Sequence, residues 1–489
     1  MRDGGGPTSP GRYRPENRWD TPLARIGAQW TEASKTLGLA CSLQTAYERA
    51  KLEQPPGNLK ESPFTPAQIL AATEILQRLT GTTSMDIQPG QTFRLQFLYD
   101  LARLCYDFDQ DLPSQLEREK GADLGVNEIL QAPEGVLAWK DGEDSEDEPY
   151  NHDIANYGSS QGHEEHLLKT YRAEEKQGLT AIFHTEQELA DKCGCSPEEL
   201  VYGALGVKPE PTPADPNKAR TIHDLTKPGP NKSIKRNTKG KTQCPRTADL
   251  KQAVGIEVRT FLRHDPGRKL MGCKIDGKWA HKRIKQKPKD WKYMCARFSK
   301  KKQMFFIANL TGTYGISSAQ FWWGRIASLL NRICIHAKLC VWAFMYVDDL
   351  LAMFSMLAEQ NLWELASTLL VFLIVIGWPV SWPKLELGQD FEWIGHHVNL
   401  NTLYVRPTEA KMYRAKSFLD QIQTGTFVDL KSLLKGIGLL RFIIEVLPQL
   451  TPTLQPHPHL DFGPGKQQDG EARRQSRAVT IHCIQIHCA

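Results

Sequence analysis

The sequence of 489 residues predicts an α+β fold in which a helical N-terminal part precedes a mixed part of strands and helices. Three observations lead to this class. Apolar residues recur at helical spacing early in the chain, strand-like and helix-like segments alternate from Lys218 onward, and an acidic run separates the two parts. A composition of 40% hydrophobic and 24% charged residues excludes a wholly disordered chain.

The chain divides by composition into segments whose boundaries follow shifts in apolar pattern, charge, and Gly or Pro content. We expect a flexible arm at 1–20, a helical region of unknown role at 21–132, an acidic linker at 133–165, a mixed region at 170–450 and an unstructured tail at 451–489.

Three sequence signals predict where helices begin. Thr65 followed by Pro66 is typical of an N-cap and first turn, and Ser114 with Glu117 matches a capping box. Ser196, followed by proline and two glutamates, predicts another helix start.

Apolar runs and cysteine usage indicate the compartment. The longest apolar run, Leu369–Val380, is shorter than the roughly 20 residues that a membrane-spanning helix needs, so no membrane association is expected. The N-terminus lacks the apolar core of a secretory signal, and 11 Cys are too few for a disulfide scaffold. We therefore expect an intracellular protein, nuclear or cytoplasmic, and not a secreted one.

The formal net charge of +5 conceals a strongly basic block. Residues 217–302 hold 26 Lys plus Arg against 6 Asp plus Glu, a net of +20, so the rest of the chain carries −15. Such a block within a folded region indicates a polyanionic partner bound through phosphates. A solvated basic face or a localisation signal is the alternative that charge alone leaves open.

Two apolar segments carry carboxylates in unusual places. Asp348 and Asp349 lie in the middle of Cys340–Phe354, a stretch rich in strand-forming residues. Buried carboxylates need compensation, so we predict a β-hairpin that presents the pair at its tip, with an ordinary hairpin turn as the alternative. Asp276 ends a second apolar run, Lys269–Ile275.

Neighbouring strands would bring these carboxylates together, where they would repel unless cations lay between them. Oxygen ligands favour Mg²⁺, with Mn²⁺ as a substitute. Two ions about 3.5–4 Å apart stabilise both oxygens of an in-line phosphoryl displacement. We expect Asp276 and Asp348 to contribute most, because adjacent strand residues such as Asp348 and Asp349 point to opposite faces.

Six motifs in this order resemble those of reverse transcriptases, the RNA-directed DNA polymerases of retroelements such as retrotransposons. They are Lys218–Asp224 with Asn231, Asp276 with Ala280 and His281, Thr313–Gln320, Tyr346–Asp349, Trp382–Gly388 and Phe391–Gly395.

The resemblance implies nucleotide-binding roles for five residues. Lys218 and Arg220 would neutralise the triphosphate of the incoming nucleotide. Ala280 and His281 would lie beneath its sugar, where a ring collides with a 2′-OH and so favours deoxynucleotides. Gln320 would contact the template or the base pair, with a solvated helix residue as the alternative.

The same resemblance implies a catalytic lysine and four contacts to template or primer. Lys384 would protonate the leaving pyrophosphate, unless it is an ordinary surface lysine. Gly315 would allow close approach of a base pair, unless it is an ordinary turn glycine. Tyr346 belongs to the catalytic hairpin, and Trp393 and Gly395 to a hairpin that grips the primer end.

Two features are predicted for the helix that follows Gly315. Ser317 and Ser318 are predicted to cap it. Trp322 and Trp323 are assigned to its apolar, buried face instead of a base-stacking surface.

The architecture implied is a right-hand polymerase with fingers at 170–268, palm at 269–400 and a partial thumb at 401–450. Two helices, Glu409–Gln423 and Val428–Val446, would begin the thumb.

The predicted function is RNA-directed DNA polymerisation, in which dNTPs extend a DNA or RNA primer on an RNA template. Asp276, Asp348 and Asp349 would hold two Mg²⁺ ions. The alternatives are a catalytically inactive remnant that only binds nucleic acid and an RNA-dependent RNA polymerase.

Overall fold

The structure is a computed structural model. It describes residues 21–53, 58–131, 138–139, 149–211, 216–235, 238–239, 247–257, 259, 267–357, 361–424, 428–444 and 446. The predicted flexible arm and unstructured tail lie outside these residues, as do 133–137 and 140–148 of the predicted acidic linker.

The chain forms two compact units. The first comprises Met1–Pro245 and Asp265–Gly388, and the second comprises Arg246–His264 and Gln389–Ala489. The boundary between the two units therefore follows Gly388. The palm boundary that the sequence predicts is at residue 400, and it stays a prediction.

The described segments contain 13 α-helices and 14 strands, besides short 3₁₀ turns. The helices are α1 (Pro22–Lys35), α2 (Leu39–Leu52), α3 (Pro66–Thr80), α4 (Leu95–Leu104), α5 (Leu112–Arg118), α6 (Glu164–Glu175), α7 (Glu186–Cys193), α8 (Pro230–Ser233), α9 (Thr247–Glu257), α10 (Ser317–His336), α11 (Leu362–Ile376), α12 (Glu409–Gln423) and α13 (Leu430–Ile444). The strands are β1 (Ala138–Trp139), β2 (Thr180–Phe183), β3 (Ala204–Pro209), β4 (Ala219–Asp224), β5 (Thr238–Lys239), β6 (Lys269–Asp276), β7 (Cys295–Lys300), β8 (Gln303–Asn309), β9 (Trp342–Tyr346), β10 (Asp349–Met356), β11 (Glu386–Gly388), β12 (Asp390–Trp393), β13 (His396–Asn399) and β14 (Tyr404–Pro407).

The predicted helix starts have mixed outcomes. Thr65 caps α3 in a full capping box with Gln68, which confirms that prediction. The capping box at Ser114 is wrong, because α5 begins earlier at Leu112 and Ser114 lies inside it. Ser196 starts only a single 3₁₀ turn, since the chain returns to extended backbone at Leu200.

A four-stranded antiparallel sheet in the order β11-β6-β10-β9 forms the centre of the first unit. Helix α11, which ends in a wholly apolar run, and α10, most of whose residues are buried, pack in the same hydrophobic core as this sheet. A three-stranded sheet, β2-β8-β7, and the hairpin β3-β4 complete the unit's larger β-structure.

The N-terminal helices share their core with the central sheet instead of forming a separate one. Trp30 of α1 is fully buried, and its indole N–H donates to the backbone oxygen of Thr368 in α11 at 3.2 Å. Arg325 of α10 reaches back to Asp109 with two hydrogen bonds of 2.6 and 3.1 Å, and both side chains are almost fully buried. The N-terminal helices therefore pack in one hydrophobic core with the central sheet.

The second unit contains the antiparallel sheet β12-β13-β14 and the helices α9, α12 and α13. Helix α12 has the predicted bounds, and α13 lies within the second predicted helix. Across the described residues, no helix combines the length and apolar character that crossing a bilayer requires.

Candidate active site

The hairpin of β9 and β10 presents its two aspartates as predicted. Tyr346 pairs with Asp349, which leaves Val347 and Asp348 as the two-residue turn. Val347 has a φ of 56°, which is unusual for a β-branched residue. The indole N–H of Trp323 donates to the Val347 backbone oxygen at 2.5 Å, so a buried tryptophan of α10 supports the turn.

The strand register brings Asp276 opposite this hairpin. Asp276 and Asp349 are direct partners across the antiparallel strands β6 and β10, so their side chains share one face of the sheet. The Gly277 backbone N–H donates to the Asp348 backbone oxygen at 2.8 Å and joins the turn to the end of β6. The alternation argument for a lesser role of Asp349 does not hold in this geometry, because Asp348 is a turn residue rather than a strand residue.

The three carboxylates affect one another electrostatically. Burial, followed by the charges of Asp348 and Asp276, raises the pKa of Asp349 to about 6. Burial and Asp276 likewise raise the pKa of Asp348. The physical causes are burial of the charged carboxylates and the proximity of like charges. A bound cation would stabilise the charged forms.

A lysine provides positive charge at this site. The Lys384 ammonium lies 2.6 Å from one carboxylate oxygen of Asp276, although most of the lysine side chain is exposed. Its segment is fixed because the Ser381 N–H donates to the Asp276 backbone oxygen at 2.8 Å. The structure thus places the predicted catalytic lysine against the predicted carboxylates.

The donor chemistry of the site suits a hard divalent cation, since its three carboxylates, on two adjacent strands and the turn beside them, supply only oxygen ligands. Within the described ranges, however, no three His, Cys, Asp or Glu side chains converge closely enough to hold one ion. The three carboxylates are neighbours, but their side chains do not converge on one position that a single ion could occupy.

Two of the predicted triphosphate ligands are exposed cations on or beside β4. Arg220 is an exposed residue of that strand, 3.2 Å from Glu210, and Lys218 is exposed just before it. Burial raises the pKa of Asp348, and the positive charges of Lys384 and, to a smaller degree, Arg220 oppose that rise.

His281 contacts Tyr314, which belongs to the Thr313–Gln320 motif but is not among the predicted site residues. Its ring lies 5.1 Å from that of Tyr314 at an angle of 40°. Burial lowers the pKa of His281 to about 4, so the imidazole is neutral at pH 7. Burial, with a further contribution from Asp348, raises the pKa of Tyr314 to about 12, although half of this side chain is exposed. Ala280 is buried beside His281.

Gly315 is required by protein packing. A Cβ there would lie 1.4 Å from the backbone oxygen of His223 in β4, so the loop and the strand approach backbone to backbone. This contact explains the glycine without invoking a base pair.

The predicted serine cap of α10 is wrong. Neither Ser317 nor Ser318 caps the helix, whose N-cap is Ile316. The side-chain oxygen of Asn231 instead accepts from the Ser317 N–H at 2.9 Å, while its amide donates to the Gly315 oxygen at 2.7 Å. A distant asparagine provides the cap because the loop packs against α8. Gln320 is half-buried in the first turn.

The remaining predicted residues divide between the units. Trp322 and Trp323 are buried, which confirms their assignment to the core. Tyr346 is partly exposed at the end of β9. Trp393, buried at the end of β12, and Gly395, with a φ of 82° between β12 and β13, belong to the second unit.

Comparison with solved structures gives reverse transcriptases as structural neighbours. The foamy viral protease-reverse transcriptase bound to double-stranded DNA is 16% identical over 70% of this chain and 62% of its own, with a TM-score of 0.36. A dRH form with double-stranded DNA is 15% identical over 80% and 56%, with a TM-score of 0.37. The native prototype foamy virus enzyme is 14% identical over 70% and 44%, with a TM-score of 0.34.

The chain thus spans less than two thirds of the length of each of these neighbours. No protein-family model and no curated protein matches the sequence.

Two side-chain contacts of the segments that carry site residues gave no local signal in the sequence. Glu174 pairs with Lys282, 108 residues away, and nothing around Glu174 indicates that partner. The indole of Trp323 was assigned to the core, and only the tertiary structure shows that it also bonds the hairpin turn. A partial signal existed for Tyr314, since it precedes Gly315 in the motif.

Proposed function

We propose that this protein is a nucleotidyltransferase that extends a primer 3′-OH with dNTPs on an RNA template. One observation carries the proposal: Asp276 and Asp349 face each other across β6 and β10, with Asp348 in the adjoining turn. A sheet end at which the hairpin and β6 together hold three mutually repelling carboxylates suits phosphoryl transfer, whose developing charge needs cations there.

Asp276, Asp348 and Asp349 are the residues that would hold Mg²⁺, which supplies electrostatic stabilisation of the reacting phosphoryl group when bound. Arg220 and Lys218 bind the negative triphosphate from the side of β4. Lys384 Nζ, held beside Asp276, delivers a proton to the leaving pyrophosphate.

The distribution of charge along the chain indicates which partners it binds. The +20 block at 217–302 includes β4, β6 and the 3₁₀ segment with His281, which carry Arg220, Asp276 and His281 of the proposed reaction site. Cations at that density bind the phosphates of an RNA template and a DNA or RNA primer. We assign Tyr346 to primer contact in the first unit, and Trp393 and Gly395 to the same task in the second.

Primer extension on poly(rA)/oligo(dT) with Mg²⁺ tests this function. We expect the wild type to incorporate dTTP and Asp348→Ala to lose about 100-fold or more of the rate, as when a charge-stabilising group is removed from an active site. Asp153→Ala is the matched control, because Asp153 is an exposed aspartate away from the hairpin, and it should extend like the wild type.

Equal failure of the wild type and Asp348→Ala would refute the polymerase. Retained RNA binding in both proteins would then establish the binding-only remnant. Faster extension with rNTPs than with dNTPs on the same primer–template would instead establish an RNA-dependent RNA polymerase.

A further inference from the structure

We infer that the N-terminal helical region positions the proposed proton donor, because Asn58, Tyr47 and Phe64 hold the segment that carries Lys384. The inference rests on the proposed function, and it gives the region a task in the reaction beyond its share of the hydrophobic core. The three residues are positioning residues, since they act on the chain on either side of Lys384 and through it on the ammonium group.

Lys384 depends on its backbone for a defined position. The lysine lies in the 3₁₀ turn Trp382–Lys384, and 61% of its side chain is exposed. The ion pair with Asp276 holds such a side chain only weakly, because water competes for both charges. A proton donor must lie within hydrogen-bond reach of the leaving group, and a displacement of about 1 Å can cost roughly 100-fold in rate. The turn therefore has to be fixed by other contacts.

Asn58 binds the turn at its central residue. The side-chain amide N–H of Asn58 donates to the backbone oxygen of Pro383 at 2.8 Å. At the other end of the amide, the Lys51 ammonium donates to the Asn58 side-chain oxygen at 3.0 Å. A carbonyl can only accept and an ammonium can only donate, so these two partners determine which way the amide points. Lys51 also lies over the ring of Tyr47, 5.3 Å from its centroid, so the amide is anchored to α2.

Tyr47 of α2 binds the chain after the lysine. Its hydroxyl oxygen accepts from the Leu387 N–H at 3.4 Å, and its ring lies 5.5 Å from that of Trp363 in α11. Leu387 belongs to β11, which pairs with β6, the strand that ends at Asp276. Helix α2 therefore contacts the segment of Lys384 where that segment joins the central sheet.

Apolar contacts hold the two ends of the turn. The ring of Phe64, which precedes the N-cap of α3, is almost fully buried and packs edge-on against Trp382 with the centroids 5.9 Å apart. Leu385, directly after the turn, is fully buried in the same hydrophobic cluster as Leu59 and Phe64. Contacts from the N-terminal region thus lie before and after Lys384, and its backbone cannot shift without breaking them.

The hydrogen bond from Asn58 can be removed with little change of shape. Asn58→Asp keeps the acceptor for Lys51 but replaces the donating N–H by a carboxylate oxygen, which repels the Pro383 oxygen. The turn should then lose its central contact, and the Lys384 ammonium should spend less time beside the leaving group. The proposed triphosphate ligands lie on or beside β4, so nucleotide binding should stay as it is.

The test is single-turnover incorporation of dTTP by the full chain on poly(rA)/oligo(dT), which gives the rate constant of incorporation and the dissociation constant of the nucleotide. For Asn58→Asp we expect the rate constant to fall by about tenfold, while the dissociation constant stays within about twofold. Lys51→Met, which leaves the Asn58 amide free to turn, should lower the rate constant by about threefold. The matched control is Asn401→Asp, the same change at an exposed asparagine of the second unit, and both constants should keep their wild-type values.

A double-mutant cycle with Lys384 separates positioning from general damage. Lys384→Ala should lower the rate constant by about 100-fold, as loss of a general acid does. In that background Asn58→Asp should add less than about twofold, because the side chain that Asn58 positions is already absent. A variant that merely loosened the sheet would lower the rate constant by the same factor in both backgrounds.

Hydrogen–deuterium exchange measures the same contacts without turnover. Residues 382–388 contain the turn and β11, and their amides should exchange at least about fivefold faster in Asn58→Asp than in the wild type, because local opening becomes easier. The amides of α12 in the second unit serve as the internal control and should exchange at the same rate in both proteins.

Three outcomes overturn the inference while dTTP incorporation by the wild type leaves the proposed function standing. They are a wild-type rate constant in Asn58→Asp, an equal loss with and without Lys384, and unchanged exchange of residues 382–388. An undiminished rate constant in Lys384→Ala overturns the inference and the role of the lysine, but not the polymerase. Failure of the wild type to incorporate dTTP overturns the proposed function and the inference with it.

Discussion

Individual buried carboxylates of the first unit differ in how they are compensated. Asp107 and Asp109 each accept two hydrogen bonds from an arginine of α10. Asp290 is fully buried and accepts from the Leu124 N–H at 2.9 Å, but its other oxygen has no hydrogen-bond partner in the described residues. Burial raises the pKa of Asp290 to about 6, because the charged form loses its hydration.

Because of Asp290, the free energy of unfolding should fall as the pH rises from about 4 to 6. A carboxyl whose pKa is raised in the folded state binds its proton more tightly there than in the unfolded chain, so it stabilises below the unfolded pKa of 3.8 and loses that effect as pH passes the folded value. Its share of the free energy of unfolding between pH 4.5 and pH 7 is about 2 kcal/mol.

Asp290→Asn should remove this share, since an amide oxygen can still accept from Leu124. Urea unfolding of both proteins at the two pH values measures it. The same pH dependence in the variant and the wild type would show that Asp290 does not titrate in this range.

Gly315 is a second residue whose effect is local. Gly315→Ala should lower the free energy of unfolding by about 1–3 kcal/mol, because the added methyl overlaps the His223 backbone and forces the loop away from β4. Gly158→Ala, with nothing within 4 Å of the new methyl, is the control and should change it by about 0.5 kcal/mol or less. Similar effects of both substitutions would contradict the close approach.

At the scale of elements, helix ends show where local signals suffice. Helices α3 and α7 begin with capping boxes whose two members are three residues apart, Thr65 with Gln68 and Thr185 with Glu188. The cap of α10 comes from Asn231, which is far away in sequence, and neither Ser317 nor Ser318 caps the helix. A cap within one turn can be predicted from sequence, but a cap provided by another loop cannot.

Thr65→Ala should cost about 1 kcal/mol of stability, because the first turn of α3 loses the acceptor for the Gln68 N–H. Ser114→Ala should cost less, since Ser114 lies inside α5 and alanine favours helix. Chemical denaturation of the two variants makes the comparison. A larger loss for Ser114→Ala would restore the capping box that the structure rejects.

On the scale of the whole molecule, the first unit depends on its N-terminal helices. Leu23, Trp30, Leu43 and Phe97 belong to the same buried cluster as the central sheet and α11. Burial on this scale is the main favourable contribution to folding, so the helical region stabilises the proposed reaction site although it holds none of its residues.

Trp30→Ala should therefore destabilise the first unit by about 3–5 kcal/mol and lower the melting temperature of the fold that carries Asp276 and Asp348. Leu70→Ala, an exposed leucine of α3, is the control and should have little effect. Scanning calorimetry of the intact chain distinguishes them. A loss for Trp30→Ala no larger than that for Leu70→Ala would mean that the helical region is independent of the sheet.

The sequence by itself determined features that depend on neighbouring residues. Local patterns predicted the bounds of α12, the cap of α3 at Thr65 and a hairpin with the aspartate pair at its tip, because helices, caps and hairpins arise from contacts a few residues apart. The structure places only Asp348 in the two-residue turn, and Asp349 begins β10. It also predicted that the strands of Asp276 and of the aspartate pair would be neighbours. That prediction is confirmed: β6 and β10 are both apolar and pair antiparallel, which puts Asp276 at the end of β6 beside Asp349 at the start of β10.

The tertiary structure alone decided what depends on distant contacts. The register that places Asp349, rather than Asp348, opposite Asp276 follows from the pairing of β6 with β10 over their full length. The cap of α10 by Asn231 and the Glu174–Lys282 pair join segments 86 and 108 residues apart. Such partners meet only after the chain has packed, and no spacing within one segment encodes them.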